Sequence, residues 1–336
     1  MRRSATILCL LLCAFAVIAA AAGGGTVAES LRLGGAPLQL VSGGGKLWVL
    51  VCDRGCSGQA KRSVGRVIEI DARSGRVIAS ATLARPGAIA IGPSGVYATD
   101  FWRDAVRRLD RHTLRLTATL HLKLPFFIVT STTRDNAFLP ETVAVGGGSV
   151  WVASDRGALA RTGPRLHSVT AMLRLPSDAF QTMTTTAGTV WLSESLLGLY
   201  RVSTTTNRVV ARTPVGPAGH RFVAVQLLPV GWRLLAVGEW TNAGTLSNRN
   251  GLARIDSARN SIDAVTPLPS GQLAAAFGGS SLWVGRVEGT TLEKIDPGSG
   301  TVVGRLRARV GVALAFAGGR LWTIFRDGTL HRLAIR

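Results

Sequence analysis

The stretch "VGGGSVWVAS", Val145–Ser154, sets three glycines against a short apolar run built around Trp151. Glycine lets a chain reverse within a few residues, because without a Cβ it adopts backbone angles closed to other residues. The run that follows is apolar on both sides of the tryptophan, the pattern of a strand covered on both faces. The pairing recurs: "SGGGKLWVL" (Ser42–Leu50) precedes it, and "FGGSSLWVG" (Phe277–Gly285) and "FAGGRLWTI" (Phe316–Ile324) follow. Aligned, the cores read "KLWVL", "GVYAT", "SVWVA", "TVWLS", "RLLAV", "SLWVG" and "RLWTI". The common position is Trp48, Tyr97, Trp151, Trp191, Leu235, Trp283 and Trp322, at intervals of 39 to 54 residues. Periods of that size belong to repeat architectures.

Each unit has four parts. A small apolar strand such as "AIAIG" or "TVAVG" leads through a tight turn into the tryptophan strand. A third strand often ends in a hydrophobic residue and Asp, as in "VIEID", "VRRLD", "LARID" and "LEKID". Asp71, Asp110, Asp256 and Asp296 suit the start of the next turn, where a short carboxylate accepts backbone N–H groups two residues on. A fourth strand mixes charged with apolar residues. Four short strands per unit describe the blade of a β-propeller.

Six fourth strands follow their third strands ("GRVIASATL" to "GTVVGRLRA"), whereas the first three strands occur seven times. The N-terminal "GTVAESLRL", Gly25–Leu33, matches "HSVTAMLRL" nearly position for position. The expectation is an all-β, seven-bladed propeller over residues 23–336, its last blade closed by the N-terminal strand. Closure removes a sheet edge open to other chains. The units resemble seven-bladed propellers of the YVTN-repeat and virginiamycin B lyase-like kind, through "GGSVWVAS", "GLARIDSARNSIDAV" and "TLEKIDPGSGTVVG". Quinoprotein propellers share the Asp-led turn but carry a later tryptophan. Ala79 and Gly304 stand near that place, so no quinone cofactor is expected.

The chain opens "MRRSATILCLLLCAFAVIAAAAGGG". Arg2 and Arg3 followed by apolar Ala5–Ala22 read as a signal peptide over residues 1–22, and so as an exported protein of the envelope or the extracellular space. An uncleaved anchor is the alternative. The remaining Cys52 and Cys56 are expected to form a small disulfide ring outside the cytoplasm, with half a metal site as the sharper reading. The formal charge is +20, from 39 Lys and Arg against 19 Asp and Glu. No basic run exceeds two residues, so the charge reads as spread over the surface, and nucleic acid is not an expected partner.

In a four-stranded blade the second-to-third loops and the blade-to-blade connections share one face. The long insertions fall there: "CDRGCSGQAKRSVG" in blade 1, "EWTNAGTLSNRNG" in blade 5 and "KLPFFIVTSTTRDNAFLPE" between blades 2 and 3. They are read as loops converging beside the channel. Trp102, Phe126, Phe127 and Trp240 are the candidate apolar anchors, and Asp100, Arg103, Glu141, His220, Arg221 and Glu239 the polar rim. The expectation is a binding module for a protein, peptide or anionic envelope polymer, with no catalytic residue assigned. Membrane contact is expected only if the N-terminal segment is retained. The alternative is a metal-assisted lyase or lactonase at the channel mouth. The family resemblance would then ask for histidine, glutamate and a divalent metal, and only His220 and Glu239, or Glu141, answer to it.

Overall fold

The computed structural model describes residues 27–55, 62–129, 134–176, 180–194, 198–213, 220–231, 233–242, 245–259 and 261–335. Their strands pair into seven antiparallel four-stranded sheets and one two-stranded ribbon. Blade 1 is Ala36–Gly43, Lys46–Arg54, Val64–Asp71 and Val77–Ala84, hydrogen-bonded in chain order. Blades 2 to 6 repeat that order, with first strands Pro86–Gly92, Pro140–Gly146, Phe180–Thr186, His220–Val230 and Leu273–Gly278. The first strands are neighbours all the way round, blade 7 returning to blade 1. All seven line a central channel of about 730 Å³.

The expected ring closure is present. Blade 7 comprises Ala313–Ala317, Arg320–Ile324 and Thr329–Leu333, and its outer strand is Val27–Arg32 from the N-terminus. Ser30 pairs with His331 and Leu31 with Leu330. Leu33 is buried among Leu40, Val49 and Ile68 of blade 1 and Trp322 and Ile324 of blade 7. Arg66 holds Asp53 through two hydrogen bonds (2.9 and 2.8 Å) and donates to the Leu33 carbonyl at 3.0 Å. The closing strand is thus fixed both to its own blade and to the next.

The glycines ahead of each tryptophan have a geometric cause. Gly147 and Gly148 are the two central residues of a two-residue hairpin, at φ 58° and 69°, and Gly44–Gly45 and Gly318–Gly319 do the same. Positive φ at both positions is the hairpin whose twist matches its strands, and a side chain there would be strained. The turn brings the tryptophan against a small residue of the first strand: Ala144 faces Trp151, Ala276 faces Trp283 and Ala315 faces Trp322. The indole N–H of Trp48 reaches the Gly43 carbonyl and that of Trp151 the Gly146 carbonyl, both at 3.4 Å.

On its other side the same position faces a cation. Arg108, Arg161, Arg201, Arg254, Lys294 and Arg332 oppose it in blades 2 to 7, and Glu69, bound to Lys46, does so in blade 1. Arg161 lies 5.2 Å from the Trp151 ring, Arg201 5.8 Å from Trp191 and Lys294 5.7 Å from Trp283. A cation over an indole face is attracted by the ring quadrupole. Part of the chain's basic excess is therefore built into the blades.

The aspartates of the third-to-fourth turns do what their position implied. Asp71 Oδ1 accepts from the Arg73 and Ser74 amides (3.0 and 2.7 Å), and Asp110 Oδ1 from those of His112 and Thr113 (3.0 and 2.9 Å). Asp256 and Asp296 repeat the contact. The amide hydrogen bonds, from Ser74, Thr113, Arg259 and Ser299 first, hold all four carboxyls below their ordinary range.

Candidate functional site

Because the strands alternate in direction, every second-to-third loop and every blade connection emerges at one end of the ring. The insertions share that end, and two of them are paired backbone where described. Blade 5 carries "EWTNAGTLSNRNG" as a continuation of its own sheet: Arg233–Asn242 and Thr245–Asp256 stay paired to Asn242 and Thr245. The blade 2–3 segment forms a separate ribbon, Lys123–Val129 against Arg134–Ala137. Backbone pairing needs no apolar alternation to persist beyond a core, which is why the pattern-based expectation of loops failed. Within the blade 1 insertion, residues 56–61 lie outside the described residues, Cys56 among them. Cys52 is buried at the end of its strand.

The ribbon is held at its base by a residue that sequence reasoning passed over. Asp104 closes a short 3-10 turn, Phe101–Arg103, in the left-handed conformation (φ 50°). Its carbonyl accepts from the Leu122 amide at 2.6 Å and its carboxylate from the Leu139 amide at 2.7 Å, so one residue ties both ends of the insertion. Leu122, Leu124 and Phe138 are buried in the same cluster as residues of blades 2 and 3. The signal available was "WRDAV", since Asp enters the left-handed region more readily than most residues.

From that base the ribbon lies over blade 3. Asp135 pairs with Arg156 in the second-to-third turn (3.8 Å), and Arg174, at the end of the outer strand, covers the Phe126 ring at 4.7 Å. Phe126 is half-buried by these contacts, while Phe127 stays 57 % exposed. The half-buried Trp102, T-shaped against Phe101 at 5.1 Å, and the exposed Arg103 sit on the turn that ends in Asp104. The turn of Trp102 and Arg103 is therefore linked through Asp104 to the base of the ribbon that carries Phe126 and Phe127. Arg174 and Arg156 hold the ribbon against blade 3.

Asp100 has a different place from the expected rim. It is fully buried, with Arg85 Nε at 3.0 Å from one oxygen and Arg107 Nη2 at 2.5 Å from the other. Two guanidinium groups compensate its desolvation, and the three side chains lock the entry to blade 2 against its third strand.

Glu141 is the second residue of the first strand of blade 3 and lines the channel. Its Oε2 is buried with no hydrogen-bond partner, and burial, then the charge of Asp155, pushes its carboxyl up to about 7. Elsewhere the channel's polar side chains are used as staples between blades. Gln39 accepts from the Ile89 amide (2.7 Å), Thr185 donates to the Val145 carbonyl (2.7 Å), and Gln226 both accepts from and donates to Ala275 (2.8 and 3.1 Å). His220 and Arg221 open the first strand of blade 5, and their backbones pair with Asn242 and Thr241. Glu239 and Trp240 pair with Val223 and Phe222. The side chains of His220, Arg221 and Trp240 lie outside those described. Among the described residues no group of three or more His, Cys, Asp or Glu is arranged to hold a metal ion.

No protein-family model and no curated protein matches this chain. Among solved structures it is similar to BamB from Moraxella catarrhalis, with 12 % identity and a TM-score of 0.59 over 93 % of this chain and 100 % of that one. It is also similar to the hydrazine synthase of Kuenenia stuttgartiensis, with 13 % identity and a TM-score of 0.66 over 90 % and 97 %. At such identities the shared property is the propeller fold. No helix among the described residues is long and apolar enough to cross a membrane.

Proposed function

We propose that this protein is an exported interaction module that captures a protein or peptide on the end of the ring bearing the insertions. The observation that carries this reading is the ribbon between blades 2 and 3. It displays Phe127 to solvent, and Asp104, on the turn that carries Trp102 and Arg103, fixes both of its ends. An exposed aromatic on a rigid, clamped support, rimmed by charge, has the anatomy of a binding anchor. Export rests on the N-terminal Arg2–Arg3 and apolar Ala5–Ala22. With it goes a disulfide between Cys52 and Cys56, which would shape the blade 1 insertion. The test is capture from an envelope extract, with bound proteins identified by mass spectrometry. The double variant Trp102→Ala, Phe127→Ala should still fold and unfold cooperatively and lose its principal captured protein. Capture of the same set by wild type and variant overturns the proposal.

A further inference from the structure

The end of the ring opposite the insertions consists of short turns, and the fold gathers there arginines that are scattered in the sequence. Arg73, Arg76, Arg115, Arg165, Arg208 and Arg259 stand in or beside the third-to-fourth turns of blades 1 to 5, all exposed. The Arg259 side chain is 83 % exposed and only 3.9 Å from Asp256 at its nearest. The aspartates of the same turns, Asp71, Asp110 and Asp256, direct an oxygen inward to backbone amides. Asp263 and Glu29 add carboxylates at the start of two outer strands, and the arginines outnumber them.

An apolar feature accompanies them. Nine of the twelve exposed large hydrophobic residues among those described fall at the first three positions of the fourth strands, just after these turns. Val77, Ile78, Leu116, Val209, Val210 and Val303 are among them, 39 to 57 % exposed. Val27, the first residue of the closing strand, pairs with Leu333 at this same end. Apolar Ala5–Ala22, in a chain that keeps it, would join the propeller here.

We propose that this end of the ring lies flat on an anionic lipid bilayer, leaving the insertions facing away. Arginine forks bind phosphate oxygens in pairs. Aliphatic side chains set among basic ones enter the boundary between headgroups and acyl chains. The negative potential of the leaflet attracts each arginine within a Debye length. Among the described residues the first-to-second turns at this end are two residues long and no insertion rises between them, which fits a plane. This contact stands whether or not the opposite end captures a partner.

The test is sedimentation of the protein, as its producing cell processes it, with vesicles of phosphatidylglycerol and phosphatidylcholine. Arg73→Glu, Arg76→Glu, Arg115→Glu and Arg208→Glu together should weaken binding at least about tenfold at low salt. The same four positions changed to Lys should bind as wild type, which separates charge from folding. Four charge reversals at the other end (Arg32→Glu, Arg54→Glu, Arg249→Glu and Arg286→Glu) should leave binding within about twofold. The pair Ile78→Ser, Val210→Ser should remove the part of the binding that survives high salt. Equal losses from the two reversal sets, reducing the effect to net charge, would overturn the proposal. So would binding to soluble dextran sulfate with none to vesicles.

Discussion

The two ends of the ring are made by the same strands and obey different rules. At the smooth end, pairs of residues such as Gly44–Gly45, Gly147–Gly148 and Gly318–Gly319 connect first to second strands, and a turn led by Asp71, Asp110, Asp256 or Asp296 recurs. At the other end the described connections vary more. One blade extends its own sheet to Asn242 and Thr245, one junction adds a ribbon, and one loop turns through Phe101–Arg103. Short turns set the register of every hairpin, so a change there moves a whole strand. The opposite end inherits its position from strands already fixed and is free to diverge.

The largest effects that would break this comparison come from the closing strand. Removing Val27–Leu33 deprives blade 7 of a ladder and unpacks Leu31 and Leu33, which should lower unfolding free energy in urea by about 5 kcal/mol or more. Excising Pro125–Asn136 above the Asp104 clamp should cost only about 1–2 kcal/mol, since Phe126 is its one described half-buried aromatic. Equal losses from the two deletions would mean that the divergent end also carries the fold.

Next comes the repeat itself. Trp151→Ala should cost about 3–5 kcal/mol through lost burial and a cavity, with Arg161 left without its ring. Phe127→Ala should stay within about 0.5 kcal/mol of wild type by thermal unfolding. Asp100→Ala should cost about 3 kcal/mol, because Arg85 and Arg107 would keep their burial and lose their counter-ion. A near-neutral Asp100→Ala would restore this residue to the rim.

The smallest effect is pH-dependent and belongs to Glu141. Its folded carboxyl titrates near 7, above the ordinary value of 4.5, so the folded state holds the proton more tightly than the unfolded chain. Stability is then lost as pH rises from about 4.5 to 7, and the loss levels off above 7. Partial exposure screens the charge, which leaves about 1–2 kcal/mol. Glu141→Gln should raise the denaturant midpoint at pH 8 and leave it nearly unchanged at pH 4.5. A gain of the same size at both pH values would show that ionisation is not the cause.

How much of this could be read beforehand differs between residues. Trp151 and its six counterparts were legible because one large apolar side chain, an indole in five of the seven, needs one turn before it and one strand on each side. Val27–Arg32 was legible because an outer strand carries the same mixed pattern wherever it stands in the chain. Asp100 was not, since a carboxylate after a strand looks the same whether it faces water or two arginines from elsewhere in its blade. The Lys123–Ala137 ribbon was missed because backbone pairing leaves little side-chain pattern, and Asp104 because the two amides it holds lie 18 and 35 residues further along the chain. Of the candidate residues, Trp102 and Arg103 share the turn that Asp104 closes, Phe126 and Phe127 the ribbon tied to it, and Glu141 lines the channel.

The sequence by itself determined the blade, its count and its closure, because these rest on local turns and on a tryptophan recurring in register. Only the tertiary structure decided which charges meet. Arg85 and Arg107 converge on Asp100, Arg161, Arg201 and Lys294 stack on their tryptophans inside the blades, and Arg73 and Arg208 reach one face from blades far apart in the chain. Charge acts through space, and closing the ring sets distances that no local pattern in the chain encodes.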